Sequence, residues 1–275
     1  MRLLVDHRTR YSFSEPQLRV VQLLRMIPRD HARQTVIDWR IDVDCDARLR
    51  EGRDGYGNIT TMLYVDGPVT AIELIVRGEV QTEETDGLIE GVGETLPPLF
   101  YLRPTMLTAA DLAIEALAKE LTSGGGDRKS LATALTAAVN DRIRIVSDRT
   151  PKTRTAATTL HDGWGNGRDA AQLLISLARV AGLPARFVSG HYLGGPNASS
   201  HKSAHCWAEL FCGDLDAESG WIGFDPSTGG NPGASTVRVA SGLDAGDATP
   251  LSGTRRGGGI EELDVDVRVA LRQDQ

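Results

Sequence analysis

The segment from Arg168 to Ala181 constrains the fold more than any other part of the chain. It carries Ala170, Ala171, Leu173, Leu174, Ile175, Leu177, Ala178 and Val180. A helix with this pattern is apolar around most of its circumference and needs partners on nearly every side, so it belongs at the centre of a domain. Gly182 fits its C-terminal cap, and Pro184 follows where helices stop. Beyond it the period of the pattern changes to two. Arg186–Leu193, Ala204–Cys212 and Gly220–Asp225 read as strands. A central helix followed by alternating strands implies helix packed on sheet.

The polar stretch Gly213 to Ser219 joins the last two of these strands and predicts a hairpin. In an antiparallel pair the start of one strand lies beside the end of the next. His205 opens the first strand and Asp225 closes the second, so the two should meet at one end of the sheet. An Asp that accepts a hydrogen bond from a His ring fixes its tautomer and stabilises the imidazolium. A nucleophile would complete a triad, and the start of a buried helix is where a thiolate is stabilised. Gly163-Trp164-Gly165-Asn166-Gly167-Arg168-Asp169 holds no nucleophilic side chain at that point, where Gly167 stands.

The remaining chain divides in two. Residues 1 to about 90 are rich in β-formers: Thr9–Phe13, Leu18–Leu24, Thr35–Val43, Thr60–Val65 and Val69–Val80, with Gly55-Tyr56-Gly57-Asn58 as a turn. Strands at such short intervals predict a sandwich. The acidic stretch from Thr82 to Gly87 opens an expected solvated linker that continues to Pro97-Pro98. Helices are predicted over Ala109–Leu121, with Thr108 and Asp111 spaced like a capping box, and over Lys129–Ile143. Gly257-Gly258-Gly259 predicts a turn before a last alternating strand, Leu263–Leu271.

Composition narrows the function classes. The chain has 275 residues, a net charge of −7, 40% hydrophobic and 24% charged residues, which suits a soluble globular protein and argues against nucleic-acid binding. Apolar runs fall short of the ~18 residues of a membrane helix, and the first residues are too short for a secretory signal. Three cysteines without a Cys-x-x-Cys disfavour a disulfide scaffold or structural zinc. A cytoplasmic location is expected.

Four motifs in order resemble the bacterial transglutaminase-like family, related in fold to papain-type cysteine proteases. They are Gly165-Asn166-Gly167-Arg168-Asp169-Ala170-Ala171-Gln172-Leu173, Gly182-Leu183-Pro184-Ala185-Arg186-Phe187-Val188-Ser189-Gly190, His205-Cys206-Trp207-Ala208-Glu209 and Gly220-Trp221-Ile222-Gly223-Phe224-Asp225-Pro226. Asp38-Trp39-Arg40 and Asp54-Gly55-Tyr56-Gly57-Asn58 resemble the β-rich region that precedes the family's core. The resemblance implies an α+β fold: an N-terminal β-sandwich-like domain over residues 1–90, then a transglutaminase-like, papain-like core over 91–275 with a central helix packed on an antiparallel sheet. It implies a Cys-His-Asp triad with His205 and Asp225 retained and the family's Cys position occupied by Gly167. Many relatives carry a His where Gln172 stands. Trp164, Asn166 and Trp207 are expected along the substrate cleft.

A pseudoenzyme that binds a peptide or protein partner is the expected function, with no cofactor, no metal, no nucleic acid and no membrane. The residues leave open an active amidase or transamidase whose nucleophile was replaced by Gly or is supplied elsewhere. Cys206 faces away from His205 in a strand, Cys212 shares that opposite face, and Cys45 lies in the β-rich region. Ser199, Ser200 and Ser203 are near His205 in sequence. His191, His201 and His205 with Asp225 raise a metal site, against which solvated loop histidines are the expectation.

Overall fold

The computed structural model describes residues 1–146, 154–194, 204–215 and 219–272. Four strands come first: β1 (Arg2–Ile27), β2 (Gln34–Val43), β3 (Arg48–Arg53) and β4 (Ile59–Thr82). The runs expected as separate short strands are joined within β1 and β4. Pairing of the two shifts register between Ser12 and Gln17 and again before Arg19, beside Pro16 and Gly67-Pro68. A β-bulge absorbs the proline's missing donor and bends the strand without ending it. The buried positions change parity across the bend, from Leu3, Val5, His7, Thr9, Tyr11 and Phe13 to Val20, Gln22, Leu24 and Met26.

Each long strand thereby serves two halves of one six-stranded sheet. Tyr11, Ile72, Leu74 and Val76 from one half share an apolar cluster with Val20, Leu24, Leu63 and Val65 from the other. The sheet folds over on itself, which gives the sandwich-like form.

The second unit begins with β5 (Leu88–Ile89), then α1 (Leu112–Thr122), α2 (Arg128–Arg142), β6 (Arg144–Ile145), α3 (Ala156–Asp162), β7 (Trp164–Gly165) and α4 (Gly167–Val180). It continues through β8 (Ala185–Tyr192), β9 (His205–Phe211), β10 (Trp221–Phe224) and β11 (Thr236–Gly242). A five-stranded sheet runs in the order β11-β8-β9-β10-β5. The central helix α4 buries Ala170, Leu173, Leu174, Ile175 and Leu177 against Ala208 and Leu210 of β9, Ile222 and Phe224 of β10, and the other helices. Its C-terminus closes as expected: Gly182 adopts φ +77° and Leu183 N–H bonds Ala178 O at 2.8 Å.

Three expectations are corrected. Asp111, not Thr108, caps α1, accepting from Ile114 N–H at 2.9 Å; Thr108 is instead buried and accepts from Arg179 at 2.7 Å. The acidic stretch is solvated as expected at Glu83, Glu84 and Asp86, but it is no free linker: β5 pairs with β10, Glu84 accepts from Ala234 N–H, and Glu94 bonds Arg186. The last two strands, β12 (Leu251–Arg256) and β13 (Glu261–Leu271), both pair with β1. The N-terminal sheet therefore takes strands from beyond residue 90, because β1 has a whole free edge to satisfy.

Candidate active site

The hairpin of β9 and β10 has the register Phe211–Trp221 to Ala208–Phe224. Extending it places Asp225 across from Trp207, one diagonal step from His205. His205 Nε2 and Asp225 Oδ2 are 2.8 Å apart. With the carboxylate ionised, Nε2 is the donor, and Nδ1 is left as the ring's acceptor. Asp225 is 4% exposed, yet its carboxyl is held below the usual range. Burial alone would raise it, and the bonds from His205 and Ser227 outweigh that effect.

Ser227 is the residue that sequence reading missed. Its N–H and its Oγ both donate to Asp225 Oδ1, at 2.9 and 2.6 Å. Asp-x-Ser is a local turn pattern in which the Asp side chain accepts from the backbone two residues on, and that signal was available in Asp225-Pro226-Ser227.

Gly167 is the first residue of α4, and Asn166 is its N-cap. Asn166 accepts from Asp169 N–H at 3.0 Å, and Asp169 Oδ2 accepts from Asn166 N–H at 3.2 Å, a reciprocal capping box. Gly165 needs its missing side chain: a Cβ there would lie 2.8 Å from Asp169 Cβ. Gly167 does not. Among the described residues a Cβ there would meet only Ser227, with both Cβ and Oγ at 3.8 Å, ordinary van der Waals contact. Asp225 thus touches His205 through one oxygen and, through Ser227, borders the space at Gly167.

Of the expected cleft residues, Trp164 is half-buried, with the Arg154 guanidinium 4.1 Å from its ring centre. Asn166 and Trp207 are buried, 3% and 1% exposed. Trp207 lies under the His205 ring at 6.0 Å between centroids, and Tyr192 flanks that ring at 5.0 Å. Gln172 is buried and donates to Arg154 O at 3.0 Å.

The cysteines lie elsewhere. Cys206 packs into the core on the face opposite His205, Cys212 sits near the hairpin turn, and Cys45 packs against the N-terminal sheet. All three are free. His191 faces away from His205, because Gly190 is the residue paired with it; His191 meets His7 edge-on at 5.5 Å. Ser199, Ser200, His201 and Ser203 fall outside the described residues. Among the described residues, His, Cys, Asp and Glu form no group of three that could hold a metal, and no helix is long and apolar enough to cross a membrane.

Comparison with known proteins agrees with this architecture. Residues 3–81 match the family model for the bacterial transglutaminase-like N-terminal region, and residues 115–226 match that for the transglutaminase-like superfamily. An uncharacterized protein of Mycobacterium leprae is 26% identical over 98% of both chains. One of Mycobacterium tuberculosis is 25% identical over 96% of this chain and 91% of its own. The crystal structure of a Cytophaga hutchinsonii protein provisionally named a cysteine protease superposes with a TM-score of 0.78 at 20% identity, covering 100% of this chain and 92% of its own. The chain joins a bacterial transglutaminase-like N-terminal region to a core with the transglutaminase-like, papain-like fold.

Proposed function

We propose that this protein is a pseudoenzyme: it keeps the His and Asp of a Cys-His-Asp triad, lacks the thiol, and binds a peptide or protein segment in the cleft at the N-terminus of α4. One observation carries the reading. Residue 167 has room for a side chain, stands beside the Ser227–Asp225–His205 chain of hydrogen bonds, and is Gly.

In a thiol enzyme on this frame, a sulfur on residue 167 would attack an amide carbonyl carbon. His205 Nδ1 would take the thiol proton and pass it to the leaving amine, and Asp225 would hold the ring. Water or a second amine would then release the acyl group. With Gly167, no atom is present to form the acyl bond. Cys212 is a poor substitute, since burial pushes its thiol up to about 11. Cys45 is raised by burial and by its neighbours Asp44 and Asp46. Three cysteines outside any disulfide suit a reducing compartment, and we place the protein in the cytoplasm.

The test is twofold. Peptide amides offered with a fluorescent primary amine are expected to show no turnover. Peptides selected from a random display library on the immobilised protein are expected to lose binding to Gly167→Leu, which fills the cleft. Selected peptides indifferent to Gly167→Leu would overturn the binding reading. Turnover that survives thiol alkylation and vanishes in His205→Ala would establish a hydroxyl nucleophile instead.

A further inference from the structure

The outer edge of β13 is open among the described residues. Among the described residues, β13 pairs only with β1, through eleven consecutive residue pairs without a register shift. The other edge of this half of the sheet, β2, is interrupted by a shift between Val36 and Asp38, a common protection against strand addition. β13 has neither bulge nor proline.

Its hydrogen-bonding pattern shows which groups are free. Ser14 N–H bonds Ile260 O, and Arg272 N–H bonds Arg2 O. Along an antiparallel strand, backbone groups alternate between its two edges. The even-numbered residues therefore bond β1. The N–H and C=O of Leu263, Val265, Val267, Val269 and Leu271 point to the open edge. The same residues form the apolar face of the strand, with Val267 buried and Leu263 and Leu271 55% and 51% exposed.

Charge along the strand is polar in the directional sense: Glu261, Glu262, Asp264 and Asp266 precede Arg268 and Arg272. We propose that β13 associates with β13 of a second copy, antiparallel and two-fold symmetric about Val267, joining two N-terminal sheets into one. In that register Val267 bonds its own counterpart, Val265 bonds Val269, and Leu263 bonds Leu271, so the outward backbone groups of these five residues all find partners. Asp266 faces Arg268 and Glu262 faces Arg272, each twice by symmetry. Shifting the axis to residue 266 sets Asp266 against itself, and shifting it to 268 does the same for Arg268. Arg268 already meets Asp266 of its own strand at 3.0 Å, and Arg272 contacts Glu79, so the second copy adds carboxylates to cations already held in place.

The test reads amide hydrogen exchange and sedimentation equilibrium on the wild-type protein over a wide concentration range. Expected is a reversible dimer in which the amides of residues 263, 265, 267, 269 and 271 become protected as concentration rises. Arg268→Asp places acid opposite acid and should weaken the dimer about tenfold at low salt, and the exchange of charges in Asp266→Arg with Arg268→Asp should restore it. Leu263→Pro removes an outward N–H and leaves the ladder to β1 intact, so it should also weaken association. A monomer at every concentration, or a dimer whose formation leaves those five amides exchanging freely, would overturn the proposal.

Discussion

Asp225 Oδ2 receives the Nε2–H of His205 at 2.8 Å, across the open end of the β9–β10 hairpin. The bond engages Nε2 and leaves Nδ1 as the ring nitrogen that Asp225 does not hold. Gly167→Cys tests whether that arrangement still serves chemistry. Among the described residues the new Cβ meets only Ser227, at 3.8 Å, so the fold should accept it. The new thiol should alkylate with iodoacetamide with an apparent pKa well below the ~8.5 of free cysteine, and His205→Ala in the same background should return it toward that value. A thiol that titrates as free in both proteins would show that the site is no longer organised for a nucleophile.

Asn166→Ala should cost about 1 kcal/mol of stability, read as a shift in the urea midpoint, because it removes the acceptor for Asp169 N–H at the start of the central helix. In the Gly167→Cys background it should also slow alkylation, since the capping box fixes the backbone that carries residue 167. Unchanged stability would mean that Asn166 is replaceable by water.

Glu209 is a buried charge held by two cations. It is fully buried and accepts from Arg186 Nε at 2.6 Å and from Arg238 Nε at 2.7 Å. Burial would raise its pKa, but the two guanidinium groups bring it down to about 2. Glu209→Gln leaves two buried cations underpaired and should destabilise by about 3–5 kcal/mol, measured by chemical denaturation. A loss below about 1 kcal/mol would show that Glu94 and solvent compensate.

Acid should loosen the seam between the two sheets. His7 on β1 is buried against His191 on β8, and burial pushes its pKa down to about 4, with Asp6 and Asp266 opposing the shift. His191 is lowered in the same direction by burial and by the nearby His7 and His205. The unfolded chain therefore takes up these protons first. Stability from His7 is complete above its ordinary 6.5 and declines as pH falls toward 4, by up to about 3 kcal/mol. His7→Phe keeps a ring and cannot protonate, so its urea midpoint should fall less than wild type between about pH 7 and pH 4.5. Parallel curves would remove His7 from the account.

The parts that sequence made legible are those whose information is local and dense. Arg168–Ala181 could only be a buried helix, and the His205–Asp225 contact followed from one hairpin. Other features depend on distant partners. Glu209 was visible on the face shared by His205, Trp207 and Phe211, but its guanidinium partners lie 23 and 29 residues away. Thr9–Phe13 and Leu18–Leu24 read as separate strands, as do Thr60–Val65 and Val69–Val80, and only the pairing of β1 with β4 shows that each pair is one bent strand. Ala156–Asp162 and Thr236–Gly242 carry short, small-residue patterns with weak periodicity; tertiary packing makes them α3 and β11.

The pairing of β1 with β13 has a temporal consequence. Leu3 lies opposite Leu271, so the N-terminal half of β1 gains one of its two neighbours only after nearly the whole described chain has emerged from the ribosome. Contacts of such sequence separation carry a large loop-closure cost and make folding slow. During synthesis the core sheet, which is complete by Gly242, can assemble while β1 still has an unclosed flank. A nascent-chain series should therefore show protease resistance in the core before the N-terminal sheet acquires it, with the last gain arriving when β13 is released.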